Sequence, residues 1–72
     1  MLNYNNLRGR IVSKFGDQKN FCNSTGISAS KVSKLLNNKI YLSQKEICKW
    51  CEILDIKLPE IPEYFFATQV DK

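Results

Sequence analysis

Two pairs of side chains in this sequence are of types that can do chemistry. Cys48 and Cys51 have the Cys-x-x-Cys spacing found in metal and redox sites, and Glu60 and Glu63 are carboxylates of the kind that serve as general acids and bases. The chain has no histidine, however, which removes the commonest general base near neutral pH and the commonest metal ligand.

Neither pair has the surroundings that such chemistry needs. The two thiols fall inside a predicted helix, and Cys22 alone is not enough to complete a four-ligand zinc site. The two carboxylates fall in a turn that we expect to be exposed, with no pocket to shift a pKa. We therefore expect core or near-surface thiols, no metal, no cofactor and no enzymatic activity.

Length and composition predict one small domain. The 72 residues are 43% hydrophobic and 25% charged, which is ordinary for a globular protein. We expect the domain to occupy residues 1–67, followed by a flexible tail at 68–72. No apolar stretch approaches the roughly 18 residues of a membrane span, and the first residues lack the layout of a signal peptide. These features predict a cytoplasmic location.

The charges are distributed unevenly along the chain, whose net charge is +4. Up to Lys49, only Asp17 and Glu46 oppose the basic residues, which are Arg8, Arg10, Lys14, Lys19, Lys31, Lys34, Lys39, Lys45 and Lys49. After Lys49 acidic residues predominate. This distribution fits a basic face that binds a polyanion, and it fits equally well a solvated surface without a partner.

Apolar residues at three- and four-residue spacing predict an all-α fold, a compact bundle of four to five short helices. The expected helices cover residues 4–15, 18–25, 29–36 and 43–54, followed by short helical turns around residue 60 and at 64–67. Their boundaries are indicated by glycines that end helices and polar residues that cap them, namely Gly16, Gly26, Asp17, Ser28 and the Ser43–Glu46 capping box.

The connection between the second and third helices is very short, since it consists of Gly26, Ile27 and Ser28. Such a link makes the two helices cross steeply and turns the start of the third helix outward, where it can enter a major groove. The sequence therefore predicts a central helix-turn-helix from Gln18 to Leu36.

These residues resemble the Cro and lambda-repressor type of helix-turn-helix, also called the XRE class. The matching string is Gln18-x-x-Phe21-Cys22-x-x-x-Gly26-Ile27-Ser28-x-x-x-Val32-Ser33-x-x-Leu36-Asn37-Asn38-Lys39. Two departures are Cys22, where the family usually has alanine, and Asp55, where a glycine commonly ends the fourth helix.

The resemblance implies two sets of contact residues. Those of the recognition helix, which would face DNA or a protein partner, are Ser28, Ala29, Ser30, Lys31, Ser33 and Lys34. Those that would contact phosphates or flank the site are Gln18, Lys19, Asn37, Asn38, Lys39 and Ser43.

The third helix is poorly equipped to select a DNA sequence. Arginine, asparagine and glutamine are the strong base readers, and none lies between Ala29 and Leu36. Lys31 falls in the first turn, where the helix dipole disfavours a cation by about 0.3–1 kcal/mol. We interpret Lys31 as facing an acidic partner, and the alternative is an exposed lysine whose small penalty is tolerated.

The two ends of the chain carry a second resemblance. Tyr4-x-x-Leu7-Arg8-Gly9-Arg10-Ile11-Val12-x-Lys14-Phe15-Gly16 and Ile61-Pro62-Glu63-Tyr64-Phe65-Phe66 are similar to small regulators of temperate phages of Gram-positive bacteria, the modulators of repression of lactococcal phages among them. This implies an anti-repressor in a bacterial host cell, whose partner is the DNA-binding domain of the phage repressor. The alternative is a Cro-like repressor that binds operator DNA directly, or in a joint complex.

Aromatic residues are concentrated in the last third of the chain, where they are Trp50, Tyr64, Phe65 and Phe66. They either close the bottom of the small core or leave part of the set exposed as an apolar interaction patch. A domain of this size has a limited interior, in which it is difficult to bury all of these side chains. Both interpretations therefore stay open at this point.

Overall fold

The protein is an all-α bundle, as the sequence predicts. The computed structural model describes residues 2–68, and this range contains five α-helices and one 3₁₀ turn. They are α1 (Asn5–Phe15), α2 (Gln18–Thr25), α3 (Ala29–Leu36), α4 (Gln44–Leu54), the 3₁₀ turn (Leu58–Glu60) and α5 (Ile61–Phe65). None of these helices has both the length and the apolar character that crossing a membrane requires.

The helix boundaries follow the predicted capping residues. The Asp17 carboxylate and the Ser28 hydroxyl each accept a hydrogen bond from the amide three residues on, at 2.7 and 3.1 Å. Ser43 and Glu46 form the capping box, with bonds of 3.2 and 3.0 Å. Gly26 ends α2 with a φ of 78°, a backbone conformation that glycine adopts without strain.

Phe21 lies at the centre of the core. Its ring centroid is 5.2 Å from that of Phe15 on α1 and 5.2 Å from that of Trp50 on α4. α1 packs against α2, α4 and α5, and α2 packs against α3. The other buried apolar residues of this core are Tyr4, Leu7, Ile11, Val32, Leu35, Leu36, Cys51, Leu54, Ile56 and Phe65.

The aromatic residues of the last third divide between core and surface, which corrects the predicted apolar patch. Trp50 is 2% exposed and Phe65 is 3% exposed, because Trp50 packs on Phe21 and α5 folds back onto α1. Tyr64 is half-buried against the same core. Phe66 is 53% exposed and is the one member of the predicted set that the solvent reaches freely.

The first described residues, Leu2 and Asn3, lie against the segment that follows α5. The Asn3 amide donates a 2.7 Å hydrogen bond to the Ala67 carbonyl, and Leu2 and Thr68 form an isolated antiparallel bridge. Thr68, which we expected to begin a flexible tail, therefore pairs with Leu2. The rest of that predicted tail, residues 69–72, lies outside the described residues.

Arg10 binds the carboxyl end of α4. Its guanidinium donates to the Leu54 carbonyl at 2.8 Å and to the Asp55 carbonyl at 2.7 Å, and it lies 5.9 Å from the centre of the Tyr64 ring. Asp55 ends α4 in the left-handed conformation, with a φ of 56°. Arg10 thus satisfies carbonyls that the helix itself leaves unpaired.

Replacing Asp55 with glycine is expected to raise the free energy of unfolding by about 0.5–1 kcal/mol. Glycine adopts a positive φ without strain, and the change also removes a negative charge from the negative end of the helix dipole. Urea unfolding monitored by circular dichroism would measure the gain. Asp55→Ala is the control, because alanine removes the same charge but keeps the strain of the positive φ, so it should gain less than glycine does. A glycine variant that is less stable than the parent would contradict this account.

Candidate interaction surface

The exposed side of α3 forms a polar, weakly basic surface. We call it the α3 face and define it by the predicted recognition residues, which are Ser28, Ala29, Ser30, Lys31, Ser33 and Lys34. All of these are exposed except Lys31, which is partly buried. The face therefore offers hydroxyls and two lysines, with neither guanidinium nor carboxamide groups among them.

The core and the preceding turn fix the orientation of this face. On the opposite side of α3, Val32 and Leu35 are each 1% exposed and anchor the helix to the core. In the last residue of α2, the Thr25 hydroxyl donates to the Phe21 carbonyl at 2.7 Å and accepts from the Ile27 amide of the turn at 3.2 Å. These bonds and the left-handed Gly26 hold the start of α3 at its angle to α2.

Lys31 already has an acidic partner within the chain. Its ammonium group forms an ion pair with the Glu46 carboxylate in the first turn of α4. The two side chains are 41% and 32% exposed, so the ion pair is open to solvent. Both residues line a cleft of about 260 Å³. Ser28 and Lys49 also line this cleft. Among residues 2–68 this is the one ion pair between side chains, and it offsets the dipole penalty that we expected at Lys31.

The ion pair changes the titration of Glu46. Hydrogen bonds from the Lys31 side chain and from the Ser43 backbone lower the Glu46 pKa from 4.5 to about 2. The charged form is therefore favoured in the folded state, and its contribution to stability is complete above pH 4.5. This contribution is lost as the pH falls from 4.5 towards 2.

We expect Glu46→Gln to lower the melting temperature slightly at pH 7, because an exposed ion pair contributes little. The difference between parent and variant should shrink as the pH falls from 4.5 and disappear below the Glu46 pKa, where the parent carboxylate is also protonated. Thermal unfolding of both proteins at neutral and acidic pH would check this. A difference that stays constant across the range would show that the ion pair does not couple to folding.

The predicted flanking lysines lie on the surface. Lys19 in α2 and Lys39 after α3 are both exposed, and Gln18 at the start of α2 is partly buried. Arg10, one of the basic residues of the N-terminal part, instead donates to carbonyls at the end of α4. Lys19 and Lys39 are thus open to a ligand, whereas the guanidinium of Arg10 is engaged within the fold.

Three predicted flanking residues have polar groups engaged within the fold. The Asn38 side chain accepts from the Leu2 amide at 3.0 Å and donates to the Leu2 carbonyl at 2.9 Å, while Asn38 itself adopts a φ of 60°. Asn37 donates to the Ser33 carbonyl at 2.8 Å, and Ser43 caps α4. Their hydrogen bonds give these side chains structural roles, whatever ligand the face binds.

A separate apolar groove lies on another side of α4. It has a volume of about 510 Å³, and its apolar lining consists of Leu42, Ile47, Cys48, Leu58, Ile61 and Phe66. Leu58 is 77% exposed, more than any aromatic residue of the predicted patch. The exposure of Leu58 could not be predicted from the sequence, because an apolar residue at this spacing after Leu54 and Ile56 continues the pattern of the core.

The three thiols have different surroundings. Cys48 is exposed, Cys22 is partly buried and Cys51 lies in the core. Burial raises the pKa of the Cys51 thiol, with a smaller contribution from the neighbouring Cys48. Burial and a raised pKa both make the reactive thiolate scarcer, so we expect Cys51 to react more slowly than an exposed thiol.

The fold and this surface define a small all-helical protein with an exposed polar helix beside a three-residue turn. The family model described as "Protein of unknown function (DUF739)" matches residues 1–68, so the chain belongs to that family. A comparison with curated proteins found no match.

Proposed function

We propose that this chain regulates the lysis–lysogeny switch of a temperate phage by binding the phage repressor and keeping it from DNA, which favours lytic growth. In this proposal α2, the turn and α3 act as a helix-turn-helix. The α3 face contacts an acidic patch on the DNA-binding domain of the repressor. The site of action is the cytoplasm of the bacterial host.

The observation that carries this proposal is that the exposed side of α3 lacks base-reading side chains. Arginine reads guanine and asparagine or glutamine reads adenine through paired hydrogen bonds, and Ala29–Leu36 contains none of these residues. One of its two lysines is paired with Glu46. The face is therefore better suited to docking on a protein surface than to selecting a DNA sequence.

Direct binding to operator DNA is the second candidate. It is supported by the short connection Gly26–Ser28, and by the exposure of Ser33 and Lys34 on the side of α3 away from the core. Lys19 and Lys39 are exposed on the elements that flank α3, where a helix-turn-helix contacts phosphates. In this case serine and lysine would have to supply the sequence selectivity.

Titration of the isotope-labelled chain with two ligands would separate these candidates by nuclear magnetic resonance. The ligands are the purified DNA-binding domain of the phage repressor and duplex DNA from the phage promoter region. We expect saturable shifts at Ser30, Ser33 and Lys34 with the repressor domain, and only weak, sequence-independent shifts with DNA. Tight binding to promoter DNA alone would favour the second candidate. Shifts confined to the groove around Leu58 would contradict the assignment of the α3 face.

A further inference from the structure

Glu46 holds a fixed position at the edge of the α3 face. One of its carboxylate oxygens accepts the Ser43 amide at 3.0 Å as part of the capping box, and the other pairs with Lys31. The carboxylate is therefore anchored from its own helix and from α3. It is not a freely rotating surface acid.

This position places a negative charge where a phosphate would have to approach. A phosphate that bound Lys31 would have to displace Glu46 from the ammonium group and would meet its charge at close range. Lys34, the other lysine of the face, is exposed and has no such neighbour among the ion pairs of residues 2–68. The face thus presents one free lysine and one internally neutralised lysine.

We infer that Glu46 determines the ligand class of the α3 face, because it occupies Lys31 and thereby lowers affinity for nucleic-acid phosphate. The biological role that we give to this effect rests on the proposed function. Host DNA offers a vast excess of non-specific sites, and a basic helix-turn-helix would be drawn to them by counterion release. An internal acid on the face keeps the protein available for a partner that is scarce.

Glu46→Gln tests this directly, because glutamine preserves the capping box while removing the charge. The probe is a short, fluorescently labelled duplex of random sequence, and the readout is fluorescence anisotropy over a range of salt concentrations. Release of Lys31 to one additional phosphate should tighten binding by roughly five- to tenfold at about 0.1 M salt, and should steepen the dependence of log affinity on log salt by about 0.9.

Glu52→Gln is the matched control, since it gives the same net charge. Glu52 is an exposed residue of α4 that lines a different pocket from the cleft beside Lys31. We expect it to change affinity for the duplex less than twofold. If Glu46→Gln and Glu52→Gln behave alike, the inference is wrong and only net charge matters.

A second arm tests whether Glu46 acts through Lys31. In a Lys31→Gln background, adding Glu46→Gln should bring no gain beyond that of Glu52→Gln, and a full gain there would overturn the inference. Binding of the unmodified chain to the repressor domain is measured in parallel. Failure of that binding would contradict the proposed function alone, while the duplex measurements would still decide the role of Glu46.

Discussion

Replacing Phe21 with alanine is expected to lower the free energy of unfolding by about 3–5 kcal/mol. Phe21 has no exposed surface, and its ring contacts both Phe15 and Trp50. Removing it would leave a cavity between α1, α2 and α4 that so small a core cannot easily close. A domain of this length is stable by only about 4–11 kcal/mol, so the variant should be marginal or unfolded at 37 °C.

Urea unfolding followed by circular dichroism would measure this loss. Phe66→Ala is the matched control, because it deletes the same side chain at a position that is 53% exposed. We expect it to cost less than about 1 kcal/mol, as substitutions at exposed positions usually do. Similar losses for the two variants would contradict the placement of Phe21 at the centre of the core.

The second large effect is expected on partner binding. Replacing both Lys31 and Lys34 with glutamate should weaken the proposed binding to the repressor domain at least about 100-fold, because the α3 face would lose its free lysine and present two new carboxylates beside Glu46 to the acidic patch. The change also breaks the ion pair with Glu46, but an exposed ion pair contributes little to stability, so the domain should remain folded. Isothermal titration calorimetry would measure the affinity, and circular dichroism would confirm the fold.

The control for this prediction carries the same change of net charge elsewhere. Lys14→Glu with Lys57→Glu alters two exposed lysines, one on α1 and one just before the 3₁₀ turn. This variant should bind the repressor domain within a few-fold of the parent. Equal losses in both double variants would mean that overall charge, and not the α3 face, governs binding.

Local sequence signals were sufficient for the first four helices, whereas the helical turn expected at 64–67 begins earlier, as α5 at Ile61–Phe65. Asp17, Ser28 and the Ser43–Glu46 box begin helices where we expected, because capping depends on residues only three positions apart. Asn38 follows α3 in a left-handed conformation, which asparagine adopts in turns at low cost. Each of these features depends on residues that are only a few positions apart, so it can be predicted without knowledge of the tertiary structure.

Long-range contacts at the candidate site could not be predicted in this way. The sequence marks Glu46 as a capping residue, but its pairing with Lys31 joins two helices and depends on their crossing angle. From the sequence, Arg10 is likewise only one of the basic residues. Its hydrogen bonds to the carbonyls at the end of α4 depend on how α1 packs against α4. Trp50 and Phe65 were candidates for an exposed patch because helical spacing alone did not show that α4 and α5 both pack against α1.

The most direct test of the central claim is a gel shift on the phage promoter region with this protein alone, the repressor alone, and both together. We expect no sequence-selective shift with this protein alone, a clear shift with the repressor alone, and loss of the repressor's shift when this protein is added. A tight, sequence-selective shift by this protein alone, or a repressor shift that its addition leaves unchanged, would contradict the account.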